Sequence, residues 1–282
     1  MSERIQVHHD AAAFLAVARA ALELAPALNN LALGTALRLA RGAPPAPTPE
    51  PPCFFSVHDE AGACVGGAVF GGRGTLDLAQ LPTDTAGALA IAVAREVVNL
   101  RAVIGPTAAA EAFTHAWPLL RSGHATLARR LRAFEASSVT DPARAPGHMR
   151  PATEADRALL QDWVVAFTRE TALPDDHDPR QAADAMLDQQ RAWVWDDGRA
   201  VALAVLGRDL GDGVSIGPVY TPPDSRGHGY ASSLVAQLAA RELATRRRYC
   251  CLFTDLANPL TDRLYLRLGF VAVGDLLDLR FS

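Results

Sequence analysis

The chain has 282 residues, of which 49% are hydrophobic and 21% charged, and its mean hydropathy is +0.07. This composition is typical of a soluble globular protein, and the length suffices for one large domain or two of ordinary size. All 27 basic residues are arginines, which excludes a lysine nucleophile, and a net charge of −4 excludes the basic surface that duplex nucleic acid requires.

The N-terminal half alternates short strands with helices and contains two interruptions. Apolar periodicity predicts strands at 5–8, 53–58, 63–70, 75–78, 102–104 and 130–137, and helices at 11–24, 28–40, 85–100 and 107–120. A proline-rich loop covers 44–52, and the best candidate for a linker is 142–147.

The C-terminal half repeats this order more clearly. An opening strand at 149–153 leads into a helix that reaches about Thr168, and Thr153-Glu-Ala-Asp156 resembles a capping box at its start. The following elements are a loop at 174–179, a helix at 181–190, a hairpin at 193–206, a strand at 214–219, a long helix, a strand at 249–255, a helix and a closing strand. We therefore expect two related α/β domains in tandem, at 1–141 and 148–282.

The most informative motif lies between the strand at 214–219 and the long helix. Arg226-Gly-His-Gly229 is a short glycine loop at the mouth of a helix, where backbone N–H groups and the helix dipole favour an anion. Arg226 adds a full charge that can bond phosphate oxygens in pairs. A Rossmann dinucleotide site is the alternative, but it requires a glycine where Ser232 stands.

With these residues, the C-terminal half resembles the GNAT superfamily of acyl-CoA-dependent N-acetyltransferases. The family's [Arg/Gln]-x-x-Gly-x-[Gly/Ala] loop is matched by Arg226-Gly-His-Gly-Tyr-Ala231, and its second landmark by Asn258 followed by Tyr265-Leu-Arg-Leu-Gly-Phe270. The resemblance covers roughly 145–282. It implies an α+β fold in which each domain has a mixed, mostly antiparallel sheet flanked by helices, with strands four and five splayed apart in the C-terminal domain. The N-terminal half lacks the loop and resembles the degenerate copy of a known tandem subgroup.

The resemblance also implies roles for individual residues. Acetyl-CoA is the cosubstrate, and its pyrophosphate is expected on Arg226 and the backbone amides of Gly227, His228, Gly229, Tyr230 and Ala231, with help from the Ser232 hydroxyl. Pro218 cannot donate to a ladder, so the free backbone of Val219 and Tyr220 is expected to hold pantetheine. Asn258 either caps its helix or contacts the pantetheine, and Tyr265 is expected to protonate the departing thiolate.

The general base is less well defined by the sequence. Glu170 ends the first helix of the C-terminal half, and Asp175, Asp176, His177 and Asp178 follow in the loop where the fold places its acceptor-binding segment. Asp212 and Ser215 lie at the start of strand four. We select Glu170, although a solvated acidic loop is the plain alternative for the others. The excess of acids over arginines from residue 145 onward, 19 against 15, suggests a cationic amine acceptor.

These features predict an enzyme that moves acetyl from acetyl-CoA to a primary amine of a small molecule by direct attack, without a metal. The alternative is a non-catalytic acyl-CoA-binding sensor or scaffold. No C-x-x-C pair, signal peptide or membrane-length apolar segment is visible in the sequence, so we expect a cytoplasmic monomer or homodimer that binds neither membrane nor nucleic acid.

Overall fold

The computed structural model describes residues 4–44, 50–121, 123–140, 145–171, 178–245 and 247–282. The chain divides into two compact units, one of which comprises everything up to Ala133 together with Val273–Ser282, while the other is Phe134–Ala272. Among the helices in these ranges, none combines the length and the apolar character needed to cross a lipid bilayer.

The first unit contains a mixed sheet with helices packed on it. Its elements are β1 (Ile5–His8), α1 (Ala11–Leu22), α2 (Asn30–Ala40), β2 (Cys53–His58), β3 (Cys64–Phe70), β4 (Thr75–Leu78), α3 (Ala86–Glu96), β5 (Ala102–Pro106), α4 (Thr107–Ala116) and β6 (Ala125–Ala136), completed by β12 (Val271–Phe281) from the end of the chain. The strand order is β1-β2-β3-β4-β5-β12-β6, and β4 and β5 are parallel. Leu89, Val93 and Phe113 bury the apolar faces of α3 and α4 in the core of this unit.

The second unit is built on the same principle. Its elements are β7 (His148–Pro151), α5 (Arg157–Glu170), α6 (Pro179–Asp188), β8 (Ala192–Asp196), β9 (Ala200–Asp209), β10 (Gly213–Tyr220), α7 (Tyr230–Leu243), β11 (Tyr249–Asp255) and α8 (Pro259–Arg267). The strand order is β11-β10-β9-β8-β7, with β10 and β11 parallel and the other pairs antiparallel. The mixed, mostly antiparallel sheets flanked by helices that the sequence predicted are confirmed.

The capping box is present before α5. The Thr153 side chain accepts from the backbone of Asp156, and the Asp156 carboxylate accepts from the Thr153 N–H at 2.8 Å. Arg150 donates to both carboxylate oxygens of Asp156 and to Asp196, so the opening strand, the helix start and the β8–β9 turn are linked by charge-assisted bonds. These bonds hold the pKa of Asp156 below its usual range. The start of α5 is therefore fixed by side chains close to it in the sequence.

The boundaries of the units differ from those expected at 1–141 and 148–282. The last strand, β12, pairs antiparallel with β5 and belongs to the first unit from Val273 onward, and the division between the units falls inside β6. β12 belongs to the first unit because its side chains alternate between two faces, and Leu277 and Leu279 on one face enter the core of that unit. On the same strand Asp275 and Asp278 pair with arginines of β6 at 2.7 Å. The sequence predicts a closing strand but not the sheet that receives it.

Candidate functional site

The loop that joins β10 to α7 is open to solvent and requires its glycines. Gly227 and Gly229 have φ angles of +82° and +81°, in the left-handed region that favours glycine. A Cβ added at Gly227 would meet no atom within 4 Å, and one added at Gly229 would first meet the Ala145 Cβ at 4.0 Å. The backbone conformation, and not crowding, demands glycine at both positions. No described side chain therefore covers this turn on the side that a Cβ would occupy.

Helix α7 begins at this loop with an unneutralised N-terminus. Gly229 is the N-cap, no described side chain caps it, and no acidic residue lies in the first turn. The first N–H groups of a helix have no partner within the helix, and the dipole gives this end partial positive charge. Tyr230, Ala231 and Ser232 are partly exposed here. The end of α7 can therefore bind an anion through backbone amides.

Two aromatic side chains of the loop are held beside it. The rings of His228 and Tyr230 stack with centroids 5.5 Å apart, and His228 Nδ1 donates to the Ser225 carbonyl oxygen at 3.3 Å. The Tyr230 hydroxyl donates to Asp197 in the β8–β9 turn at 2.6 Å, and this bond raises the tyrosine pKa. We infer that these two residues contribute backbone amides and shape to the loop.

Arg226 and Glu170, to which the sequence assigned separate roles, lie together. Arg226 Nη2 donates to Glu170 Oε2 at 2.7 Å, and the two side chains remain 48% and 44% exposed. Arg226 Nε donates to the Thr221 carbonyl oxygen at 2.9 Å, which fixes the guanidinium near the end of β10. An exposed ion pair of this kind contributes at most about 1 kcal/mol, so it can be exchanged for another partner at low cost.

Tyr220 is the third member of this cluster. Its hydroxyl donates to Glu170 Oε1 at 3.1 Å, and the Arg226 guanidinium carbon lies 5.8 Å from its ring centroid. Burial and, after it, the negative charge of Glu170 raise the pKa of Tyr220. Tyr220 therefore positions the Glu170 carboxylate at the mouth of the glycine loop. Nothing in the sequence indicated this contact, because the partners lie far apart along the chain.

Strands β10 and β11 separate as they approach the loop. Their parallel pairs run from Gly213 with Tyr249 to Ser215 with Cys251, whereas β10 continues to Tyr220 and β11 to Asp255. On its other edge β10 shifts register twice and then pairs Val219 with Ala204. The predicted splaying of the fourth and fifth strands is confirmed. Pro218 lies within the unpaired stretch, and both it and Val219 are partly exposed.

Tyr265 lies in the core of the second unit, in a cluster that also contains residues of β10 and β11. The residue is 7% exposed, and its ring packs at 5.8 Å from the ring of Phe270 and 6.2 Å from that of Phe134. One helical turn earlier, Asp262 accepts from the Thr254 hydroxyl at 2.6 Å, which holds this face of α8 against the end of β11. Burial raises the pKa of the Tyr265 phenol. The group therefore stays protonated throughout the neutral range.

Asn258 occupies the N-cap position of α8, but its side chain makes no capping hydrogen bond. The Thr261 hydroxyl donates to its carbonyl oxygen at 2.7 Å, and its own N–H donates to Asp255 at 2.8 Å. The side chain is exposed. The backbone thus holds this turn, and the Asn258 amide does not act as the cap that the sequence offered as one interpretation.

The remaining acidic candidates do not join the cluster. Asp178 caps α6 by accepting from the Arg180 N–H, and Asp212 lies 3.8 Å from Arg248. Ser215 is buried and accepts from the Arg208 N–H at 2.6 Å. Asp175, Asp176 and His177 lie outside the described residues. Of the candidates that the structure describes, Glu170 is thus the one brought to the glycine loop.

Comparison with known proteins finds a family model that matches part of this arrangement. A family model described as an acetyltransferase (GNAT) domain matches residues 188–272, which include the glycine loop, β10, α7, β11 and α8. The search of curated proteins found no match.

Solved structures of the same fold cover the chain almost completely. A Drosophila protein is 10% identical, with a TM-score of 0.70 over 100% of this chain and 99% of its own. A GCN5-related N-acetyltransferase from Sphaerobacter thermophilus is 15% identical, with a TM-score of 0.60 over 99% and 96%. An acetyltransferase of the GNAT family from Colwellia psychrerythraea is 14% identical, with a TM-score of 0.52 over 82% and 85%. At these identities the likeness concerns the fold.

Proposed function

We propose that the second unit, which contains the match to an acetyltransferase (GNAT) domain model, is an N-acetyltransferase that moves an acetyl group from acetyl-CoA to a primary amine. The proposal rests on three features that lie together. The glycine loop is open, the N-terminus of α7 has no side-chain cap, and the strands β10 and β11 separate as they approach them. A pyrophosphate needs the first two features, and an extended pantetheine arm needs the third.

The residues present fit acetyl-CoA. The amides of residues 227–231 would hold the pyrophosphate, Ser232 would add a hydroxyl, and Arg226 would add a charge. The backbone of Pro218, Val219 and Tyr220, along the edge of β10 that is not paired with β11 there, would hold the pantetheine, with the exposed Asn258 amide as a further partner. Acetyl-CoA supplies an acyl group that its thioester has already activated.

Arg226 must exchange partners for this proposal to hold. Its guanidinium is paired with Glu170 at 2.7 Å, but the pair is half exposed and therefore weak. A pyrophosphate offers Arg226 a doubly charged acceptor and bidentate geometry. We propose that Arg226 turns from Glu170 to the phosphates, while the Glu170 carboxylate keeps its bond from the Tyr220 hydroxyl.

The proton steps then fall to two side chains. Glu170 accepts the proton of the attacking amine, because it is the carboxylate at the loop and it is accessible to solvent. Tyr265 donates its phenolic proton to the departing thiolate and takes one back from solvent; because its raised pKa makes it a weaker acid, the transfer depends on positioning. Neither role requires a covalent acyl-enzyme.

The acceptor is an amine, and support for a cationic one is narrower than the acidic excess suggested. Arg157 binds Glu154, Asp184 and Asp188 at 2.7–2.8 Å, so these three acids of the second unit share an internal cation that offsets one of their three negative charges. The pKa of Asp184 is lowered accordingly, with the Arg157 bond as the largest cause. We propose that Glu170 contacts the ammonium form of the acceptor before the acceptor loses its proton.

The test is thiol release from acetyl-CoA in the presence of polyamines, amino acids and aminoglycosides. We expect turnover with at least one amine, a fall of about 10²–10⁴-fold in kcat for Tyr265→Phe, and no change for the matched buried tyrosine in Tyr249→Phe. Arg226→Ala should weaken CoA binding about 10–100-fold, since it removes charged hydrogen bonds. Tight CoA binding without turnover on any amine would instead support the sensor or scaffold. Unchanged CoA affinity in Arg226→Ala would remove the phosphate assignment.

A further inference from the structure

A separate group of metal-binding side chains lies in the first unit. His9, Cys53 and Glu96 each offer one ligand atom, and these three atoms all lie within 4.8 Å of one another. His9 Nε2 and Glu96 Oε2 are 3.8 Å apart. The glycine loop belongs to the second unit, so this cluster is independent of the function proposed above.

The fold brings these residues together from three elements. The antiparallel β1–β2 pairs end with His8 opposite Phe54, so the next residues outward, His9 and Cys53, face each other at the end of the ladder. Glu96 is the last residue of α3, and Val93 and Val97 beside it share a core cluster with Cys53. The cluster is therefore held by the first unit's own sheet and helix.

The donor set matches a divalent transition metal. Thiolate, imidazole and carboxylate are the zinc ligands of proteins, and with a neutral imidazole their summed charge of about −2 balances the ion. Around a tetrahedral zinc ion such atoms lie about 3.3–3.7 Å apart, as bond lengths of 2.0–2.3 Å require. The His9–Glu96 separation is already near this range. Both side chains are exposed, 69% and 34%, so they can turn to close the remaining gap.

Two described polar residues close in sequence to the proposed ligands, His8 and Glu50, have hydrogen-bond partners of their own. His8 is buried and shares a hydrogen bond of 2.9 Å with the Ser56 hydroxyl. Glu50 accepts from the N–H groups of Val98 and Asn99 at 2.8 Å. Cys53 is 4% exposed, while its two potential partners face solvent. An ion bound here would have one buried anchor and at least one open position for water.

We propose that His9, Cys53 and Glu96 form a zinc-binding site in the first unit. Binding breaks the Cys53 S–H bond, forms a sulfur–zinc bond and releases the proton to solvent. Without the ion, burial and then the charge of Glu96 raise the thiol pKa to about 12, so Cys53 is protonated. The site joins elements distant in sequence, and occupancy should stabilise the first unit.

The test uses Co²⁺ and Zn²⁺ with the full chain. We expect Co²⁺ to produce a thiolate-to-cobalt charge-transfer absorption that Zn²⁺ abolishes and that Cys53→Ser lacks. Competition with a chromophoric chelator should show Zn²⁺ affinity reduced by more than the 10–100-fold typical of outer-shell changes in His9→Ala and Glu96→Gln. These two variants alter exposed side chains, so they should keep the fold even where Cys53→Ser does not.

Matched controls lie in the same unit. Cys64→Ser changes a cysteine whose thiol donates to the Gly66 carbonyl oxygen, and His115→Ala changes an exposed histidine of α4. Both should bind as the parent protein does. The absence of a charge-transfer band in the parent protein would overturn the site. So would an affinity unchanged by His9→Ala and Glu96→Gln. None of these measurements depends on acetyl transfer, so this proposal and the enzymatic one can fail separately.

Discussion

The two units each contain one parallel strand pair joined through a helix, β4–α3–β5 in the first and β10–α7–β11 in the second, and the two crossovers differ where a ligand would enter. In the first unit a Cβ added at Gly105 of β5 would lie 2.5 Å from the Leu78 Cβ at the end of β4. The strands are thus closely packed up to their ends. In the second unit the paired residues stop at Ser215, and β10 continues for five residues beyond them.

The residues that precede the two crossover helices, α3 and α7, differ in their exposure to solvent. Thr85, which precedes α3, is fully buried, and its hydroxyl donates to the Pro82 carbonyl oxygen at 2.6 Å. Beside it Asp84 is paired with Arg4 at 3.1 Å. Gly229, which precedes α7, is exposed, although the N-cap residues of both helices lack a side-chain capping bond. Under the proposed function, the crossover that holds the nucleotide is the one whose helix end is exposed and whose strands separate.

The largest expected effect concerns the β10–α7–β11 crossover, where the strands separate. Glu170→Gln should lower kcat about 10²–10⁴-fold, because it removes the proton acceptor while keeping the shape. CoA affinity should stay equal or rise by up to about fivefold, since the change removes a competitor worth at most about 1 kcal/mol for Arg226. Turnover and calorimetric binding measure the two effects separately. Glu154→Gln, which alters an exposed glutamate paired with Arg157, is the control. Equal turnover in both variants would exclude Glu170 as the base.

A smaller effect is expected from the loop itself. Gly229→Ala introduces no clash but forces alanine to φ near +81°, at a cost of about 1–2 kcal/mol or a shift of the amides. We expect CoA binding to weaken at least about tenfold. Gly62→Ala is matched to it, because Gly62 has φ +85° and open space in a turn of the first unit. It should lose similar stability with no change in CoA affinity. Parallel losses of affinity in both variants would show that the effect is not local.

The last effect, which concerns stability and not activity, tests the closely packed β4–α3–β5 crossover. Gly105→Ala should destabilise the protein by about 1–3 kcal/mol, because the added methyl group meets Leu78 at 2.5 Å. Gly87→Ala, in the first turn of α3 with nothing within 4 Å, should instead stabilise it by up to about 1 kcal/mol. Denaturant unfolding measures both. A neutral Gly105→Ala would mean that β4 and β5 can part as β10 and β11 do.

Much of the local structure was predictable because local rules govern it. The strands β1, β2, β4 and β11 match the predicted ranges at both ends, since apolar alternation and flanking turn residues define them. The helix predicted at 107–120 ends earlier, at Ala116, because Pro118 follows and the chain continues as a short 3₁₀ turn. The glycine loop could also be located, because its residues are contiguous. The Arg226–Glu170–Tyr220 cluster could not, because its members come from separate elements.

The sequence by itself determined most of the helices and strands to within a few residues and located the glycine loop, because periodicity, capping residues and positive-φ glycines act over a few residues. Only the tertiary structure decided that β12 joins the first unit, that Arg226 lies against Glu170, and that His9, Cys53 and Glu96 meet at one point. Strands with the same apolar alternation could pair with one another in several ways, and the packing of the core determines which of them do. Contacts between residues distant in sequence therefore follow from the packing of the whole sheet, and no local pattern encodes them.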